Sequence, residues 1–142
     1  YGVRAWYAVG MHLGRGEVRT LKLSRFTMAR ELDRRFEIPA GFSVEAMLGN
    51  AWRMIRGEPD YDVVLRFDRS IADTISDTVW HRTQRMEEHD DGTLTFRCTV
   101  SGLEEIVWWV LSMGPHCEVI EPAELRGLVR EKAAATAAMY GG

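Results

Sequence analysis

The residues of this chain that are best suited to chemistry are three cations and two rings near its start, and they suit the binding of an anion. The cations are Arg19, Lys22 and Arg25, and the rings are those of Tyr7 and His12. Arg binds phosphate as a planar fork and Lys as a point charge, while aromatic rings offer nucleobases a stacking surface. The set therefore predicts a site for nucleic acid or a nucleotide. The alternative interpretation is a solvated strand whose charges serve solubility.

Signals for catalysis or for a bound cofactor are missing from the sequence. No Gly-rich phosphate-binding motif occurs, and the four histidines have no metal-ligand spacing. His81 and His116 could meet in space, but structural, hydrogen-bonded roles are expected for both. The acidic run from Glu87 to Asp91 has the composition of a metal site, yet its place at the tip of a predicted hairpin favours a solvated turn. We therefore expect a binding protein with no metal, no cofactor and no enzymatic activity.

The net charge of −3 is unevenly distributed along the chain. Residues 1–38 contain 8 Lys and Arg against 4 Asp and Glu, a net +4, and residues 39–142 contain 10 against 17, a net −7. A basic segment joined to an acidic one indicates an anionic partner for the first part alone. An imbalance of this size also arises by chance.

The composition is that of an ordinary globular protein, which we expect to be cytoplasmic. Hydrophobic residues make up 46% and charged residues 27% of the chain. No apolar run approaches the roughly 20 residues that cross a bilayer, and no signal peptide opens the chain. Cys98 and Cys117 lack the spacing of a metal site, and free thiols are expected rather than a disulfide. The start at Tyr1, without Met, predicts a fragment of a longer protein.

The basic residues are predicted to lie on a β-hairpin. Two β-prone runs between Ala5 and Phe26 flank a Gly-containing turn, and Arg19 and Arg25 would share one face of the second strand. A further strand is expected over residues 34–38. Residues 1–38 are too few for a core of their own, so they are expected to be an incomplete barrel or to be completed by another chain.

A helix is predicted from Val44 to Arg56, because Ser43 suits its N-cap and apolar residues then recur at helical spacing. We interpret residues 39–59 as a linker that contains this helix and docks on one of its neighbours.

Residues 60–142 alternate regularly between strand and helix patterns. Strands are predicted at 61–68, 82–89, 93–100 and 116–120, and helices at 70–78, 103–113 and 122–139. The two middle strands are joined by an Asp-Gly turn. The order β-α-β-β-α-β, followed by a final helix, is that of a ferredoxin-like fold.

Trp108 is a candidate for a dimer interface. On a helical wheel it points nearly opposite to the apolar side of its helix, and exposed aromatic residues are enriched at interfaces. The alternative is that the C-terminal helix covers it.

The run Trp6-Tyr7-Ala8, followed by residues 16–26, resembles the end of a WYL domain, the Sm-like β-barrel sensor of bacterial transcriptional regulators. That family usually has Leu at the position of Ala8. The rest of the chain resembles the C-terminal extension of those regulators, at residues 61–68, 79–81, 101–105 and 112–119. The resemblance implies an α+β chain in which residues 1–38 end an Sm-like or SH3-like barrel and residues 60–142 form the ferredoxin-like extension.

The resemblance further implies that the basic strand is the ligand-sensing surface, which gives Tyr7, Arg19, Lys22 and Arg25 as contact residues. The chain would then be the sensing and dimerising part of a regulator, and it would signal to a winged-helix DNA-binding domain outside this sequence. Its ligand would be single-stranded nucleic acid or a nucleotide. The competing interpretation is a ferredoxin-like module that binds a small metabolite at a dimer interface. A small hydrolase of the acylphosphatase type is disfavoured, because Asp68-Arg69-Ser70 lacks the glycines of an anion cradle.

Overall fold

The computed structural model describes residues 5–141, in two compact units that divide after Pro39. Residues 1–4, which belong to the predicted barrel segment, lie outside the described residues. Two antiparallel sheets and four α-helices form within residues 5–141, which confirms the α+β class. None of these helices combines the length and the apolar character that crossing a bilayer requires.

The first unit contains the predicted hairpin. Strands β1 (Tyr7–His12) and β2 (Glu17–Lys22) pair antiparallel. The amides of Arg15 and Gly16 donate to the His12 carbonyl at 3.0 and 2.8 Å. Gly16 has a φ of 66°, a left-handed conformation that costs glycine little.

Two expectations for the first unit are wrong. The second strand was expected to reach Phe26, but it ends at Lys22 and a single 3-10 turn, Leu23–Arg25, follows. No strand forms at residues 34–38, which are all exposed. A strand requires a hydrogen-bonded neighbour, and no strand of residues 5–141 pairs with this segment.

The described part of the first unit has no buried residue. Within residues 5–39, twelve large apolar side chains are exposed, among them Trp6 at 83% and Phe36 at 87%. A two-stranded hairpin is at best marginally stable alone, so it requires further strands or another packed element for its stability.

Helix α1 (Val44–Leu48) is much shorter than the predicted helix to Arg56. The Ser43 side chain accepts a hydrogen bond from the Ala46 amide, as expected of an N-cap. Gly49 then adopts a φ of 57° and its amide donates to the Glu45 carbonyl, so the helix ends there. The apolar residues that follow, Trp52 among them, continue in irregular structure.

The second unit is built on one four-stranded sheet. Its elements are β3 (Asp60–Phe67), α2 (Ala72–Ser76), β4 (Arg85–Glu88), β5 (Leu94–Ser101), α3 (Ile106–Ser112), β6 (Cys117–Glu121) and α4 (Ala123–Tyr140). The strand order is β4-β5-β3-β6, and each neighbouring pair is antiparallel. Every predicted element of residues 60–142 is present, with bounds that shift by a few residues.

The core lies on one face of this sheet. Side chains along β3 and β5 project alternately to the two faces of the sheet, and the inward residues Leu65, Phe67, Leu94 and Phe96 are completely buried. Val64 and Thr95, on the other face, are also buried. Helices α2 and α3 cover this face, and α4 packs against α3 and β6. Trp109 is central, since its ring lies 4.7 Å from that of Trp52 and 5.0 Å from that of Trp80, centroid to centroid.

Candidate functional site

The hairpin places the predicted contact residues on two opposite faces. Tyr7 lies directly opposite Lys22 in the register, so these side chains share one face. Arg19 lies opposite Gly10 and therefore shares the other face with His12. Arg25 belongs to neither face, because the 3-10 turn carries it beyond the end of β2. The expectation of one strand face with Arg19 and Arg25 is thus wrong.

The cations of the hairpin differ in their partners. The Arg19 guanidinium donates two hydrogen bonds to the Glu17 carboxylate, at 2.6 and 2.8 Å, so a neighbouring negative charge compensates it. Lys22 has no ion pair within residues 5–141. Its ammonium and the Tyr7 ring therefore form the pair on this hairpin that is most available to an anion carrying a base.

His116, Asp68 and Ser70 form a polar cluster that joins the end of β3 to the start of β6. The His116 Nδ1 atom lies 2.7 Å from an Asp68 carboxylate oxygen and 3.0 Å from the Ser70 hydroxyl. Ser70 also donates hydrogen bonds to Asp68 from its hydroxyl and from its amide, and these bonds, with that of His116, lower the pKa of Asp68 to about 2. A catalytic triad uses both ring nitrogens of the histidine, whereas both partners here contact Nδ1. The cluster therefore links the end of β3 to the start of β6 through hydrogen bonds.

His81 has a structural position. Its ring stacks on that of Trp52 with centroids 5.6 Å apart, and its nitrogens lie 2.8 Å from the Thr83 hydroxyl and 3.2 Å from the Ala51 carbonyl. Burial lowers the pKa of this imidazole. His81 and His116 thus form their hydrogen bonds with different residues, and each has the structural role that was expected.

The acidic run lies at the tip of the hairpin between β4 and β5, where Asp91 accepts hydrogen bonds from the Thr93 amide and hydroxyl. No group of three His, Cys, Asp or Glu side chains within residues 5–141 is arranged to hold a metal ion. Cys98 and Cys117 are free thiols, and burial raises the pKa of each to about 12.

Trp108 projects from α3 away from the core, as the helical wheel indicates. It is 60% exposed, whereas Ile106, Val107 and Val110 of the same helix are buried. The Lys132 ammonium of α4 lies 4.6 Å from its ring centroid, a cation–π contact. An apolar groove of about 690 Å³ runs beside the ring between α3 and α4.

Comparison with known proteins identifies the family of the second unit. Residues 59–137, more than half of the chain, match the family profile of the WCX domain. The chain belongs to the WCX domain family. The WCX domain is the C-terminal domain associated with WYL domains, so the resemblance to that extension is confirmed.

Among solved structures, the chain is similar to proteasome accessory factor B/C (PafBC) of Arthrobacter aurescens. The two are 26% identical over 88% of this chain, with a TM-score of 0.39, and the chain spans 19% of that protein's length. A score this low supports no inference of a common overall structure. Comparison with curated proteins yields no match.

The WCX domain carries charged residues that sequence analysis did not single out. Arg85 of β4 lies directly opposite Arg97 of β5, on the sheet face away from the core. The same row continues through Val64 of β3 to Glu121 of β6. The turn between β4 and β5 fixes this register, so the opposition of two arginines could have been found by counting outward from Asp91.

Proposed function

We propose that this chain is the effector-sensing and dimerising part of a WYL-type transcriptional regulator. The observation that carries the proposal is the match to the WCX domain at residues 59–137, preceded in sequence by a WYL-like basic hairpin. In this proposal residues 1–38 end a WYL-like barrel, residues 39–59 connect, and residues 60–142 are the extension. The strand order β4-β5-β3-β6, all antiparallel, supports a ferredoxin-like arrangement of that extension.

The exposed apolar residues of the first unit support its role as part of a barrel. Twelve large apolar side chains within residues 5–39 are exposed, while both strands of the hairpin still have one unpaired edge. Further strands that pair with these edges would bury that surface and complete an Sm-like barrel.

The proposed ligand is a single-stranded nucleic acid or a nucleotide, bound through the Tyr7–Lys22 face. The Lys22 ammonium has no ion pair within residues 5–141, and the Tyr7 ring lies opposite it. An ammonium beside an aromatic ring suits a phosphate with its attached base. Arg19 lies on the opposite face of the hairpin and Glu17 already compensates its charge, so it would contribute less to binding.

Fluorescence anisotropy of a labelled single-stranded oligonucleotide tests this assignment. Tyr7→Ala and Lys22→Ala are expected to weaken binding about tenfold each, since a stacked base or a phosphate contact contributes roughly 1–3 kcal/mol. The control is Arg130→Ala on α4, which removes one positive charge elsewhere. An equal loss in Lys22→Ala and Arg130→Ala would reduce the Lys22 effect to net charge, and binding that survives both hairpin variants would remove the site from this face.

We propose that dimerisation uses Trp108 and the groove between α3 and α4. Support comes from the 60% exposure of this Trp and from the apolar lining of the groove by residues such as Val129, Ala133 and Met139. A ligand would then act by binding one arrangement of the dimer more tightly, which would reposition winged-helix DNA-binding domains.

Sedimentation velocity tests the dimer. Trp108→Glu places a charge in the proposed interface and is expected to leave a monomer, whereas Val79→Glu places the same charge on another exposed apolar residue. If Trp108→Glu sediments like the wild type, the interface lies elsewhere.

The competing function is a metabolite-binding regulatory module. The affinity for a neutral metabolite would depend little on salt concentration. The affinity for a nucleic acid, in contrast, falls steeply as ionic strength rises.

A further inference from the structure

The open face of the WCX sheet holds two cations in an unfavourable position. Arg85 and Arg97 are directly opposite each other on neighbouring antiparallel strands, where side chains begin about 5 Å apart. Phe96 and Met86 pair on the other face, and Phe96 is buried in the core. Both arginines therefore project to the open face, where like charges in direct opposition destabilise the pairing.

Neither arginine is compensated by its surroundings. The ion pairs within residues 5–141 are Arg19–Glu17 and His116–Asp68, and neither Arg85 nor Arg97 donates a hydrogen bond there. On the open face, the acidic side chains nearest to the two arginines in the register are those of Asp62, Glu87 and Glu121, and none of them forms an ion pair with either guanidinium. Asp62 accepts a hydrogen bond from the Thr99 hydroxyl at 2.7 Å, and Glu121 lies two strands from Arg97, about 10 Å across the sheet.

A cavity of about 680 Å³ lies over this part of the sheet. The cavity is lined by both arginines, by Val64 and by Glu121. Val64 is only 7% exposed although it projects to the open face, so it gives the cavity an apolar floor. Arg82 also lines the cavity, but its guanidinium already donates to the Gly49 carbonyl at 3.0 Å and to the Asn50 side chain at 2.5 Å.

We propose that Arg85 and Arg97 together bind the oxyanion group of a small organic ligand, a phosphate or a carboxylate, whose apolar part lies on Val64. Two guanidinium forks can each donate a pair of hydrogen bonds to such a group, and its charge converts their repulsion into attraction. The cavity has the size of an ordinary small-molecule site. No residue of the β1–β2 hairpin takes part, so a test of this site is independent of the proposed nucleic-acid surface.

Thermal unfolding of the full 142-residue chain tests the site. Inorganic phosphate and succinate are the probes, each compared with sodium chloride at equal ionic strength. A probe at about ten times its dissociation constant is expected to raise the unfolding midpoint by about 4 °C, because it binds the folded state alone. The rise should be lost in Arg85→Gln and Arg97→Gln and kept in Arg130→Gln, which removes an equal charge from α4. The probe that produces the rise identifies the oxyanion as phosphate or carboxylate.

A second comparison uses no ligand. In low salt without either probe, Arg97→Gln should unfold at or above the wild-type temperature, because the opposed pair is gone. Arg97→Lys keeps the charge but not the fork and should retain less than half of the ligand-induced rise. An equal rise in all variants, or no rise with either probe, would overturn the proposal.

Discussion

The Glu105 carboxylate accepts a hydrogen bond from the Met54 backbone amide at 3.0 Å, across 51 residues of sequence. The same carboxylate accepts from the Arg53 amide at 2.9 Å and from the Ile55 amide at 3.0 Å. Three successive amides thus surround one negative charge. This contact fastens the irregular segment after α1 to the turn that begins α3.

We expect Glu105→Ala to lower the free energy of unfolding by about 2 kcal/mol, because it removes charge-assisted hydrogen bonds and leaves three amides to find water. Glu105→Gln keeps an acceptor oxygen and should lose about half as much. Urea unfolding measures both, with Glu131→Ala on the exposed part of α4 as the control. If the Glu105→Ala and Glu131→Ala variants unfold at the same urea concentration, the contact adds nothing to stability.

Trp52 precedes the matched WCX region yet is buried in its core, at 6% exposure. Trp52→Ala is expected to cost about 3–5 kcal/mol, as large aromatic truncations in cores do. Val79→Ala, which truncates an apolar side chain that is 82% exposed and lies outside the proposed interface, should cost far less. Chemical denaturation followed by circular dichroism compares the two, and equal losses would show that Trp52 is not a core residue.

His81 makes stability depend on pH. Burial lowers the pKa of its folded state below the ordinary value of 6.5, so the unfolded chain binds the proton first as the pH falls. Stability should therefore decline as the pH falls below about 6.5 towards the folded-state pKa. Unfolding measured from pH 7.5 to 5 should show a weaker decline in His81→Gln than in the wild type. His12→Gln, on the exposed hairpin, should keep the wild-type decline; a wild-type decline in His81→Gln would assign it to other groups.

The strands of the second unit follow from their alternation, because Val63, Leu65 and Phe67 can be buried together only in a strand with one covered face. The turn before β5 follows from Gly92, whose φ of 79° suits a residue without a side chain. Such local rules sufficed to predict all seven elements after residue 59.

The first unit and the segment after it were harder to predict. Apolar spacing after Leu48 imitates a helix, but Gly49 ends α1 and Trp52 is held by contacts with distant residues such as His81 and Trp109. Arg25 was expected beside Arg19 because periodicity alone does not reveal where a strand gives way to a 3-10 turn. Tertiary packing decides both outcomes.

The residue types of the candidate site could be predicted from the sequence, but their arrangement on the hairpin could not. Types of residue pointed to Tyr7, Arg19 and Lys22, but only the register separates them into two faces, and only the Glu17 carboxylate distinguishes Arg19 from Lys22. Trp108 was found from its helix alone, because its exposure depends on one helical face.

The salt dependence of oligonucleotide binding by the 142-residue chain tests most directly whether the hairpin senses nucleic acid. Anisotropy titrations of a single-stranded oligonucleotide between about 20 and 200 mM salt give the logarithm of the binding constant against that of the salt concentration. Each cation in contact with a phosphate is expected to contribute about −0.7 to the slope, so Lys22→Ala should reduce its magnitude by about 0.7. A slope of zero, or no binding at 20 mM salt, would contradict a nucleic-acid-sensing role for the hairpin.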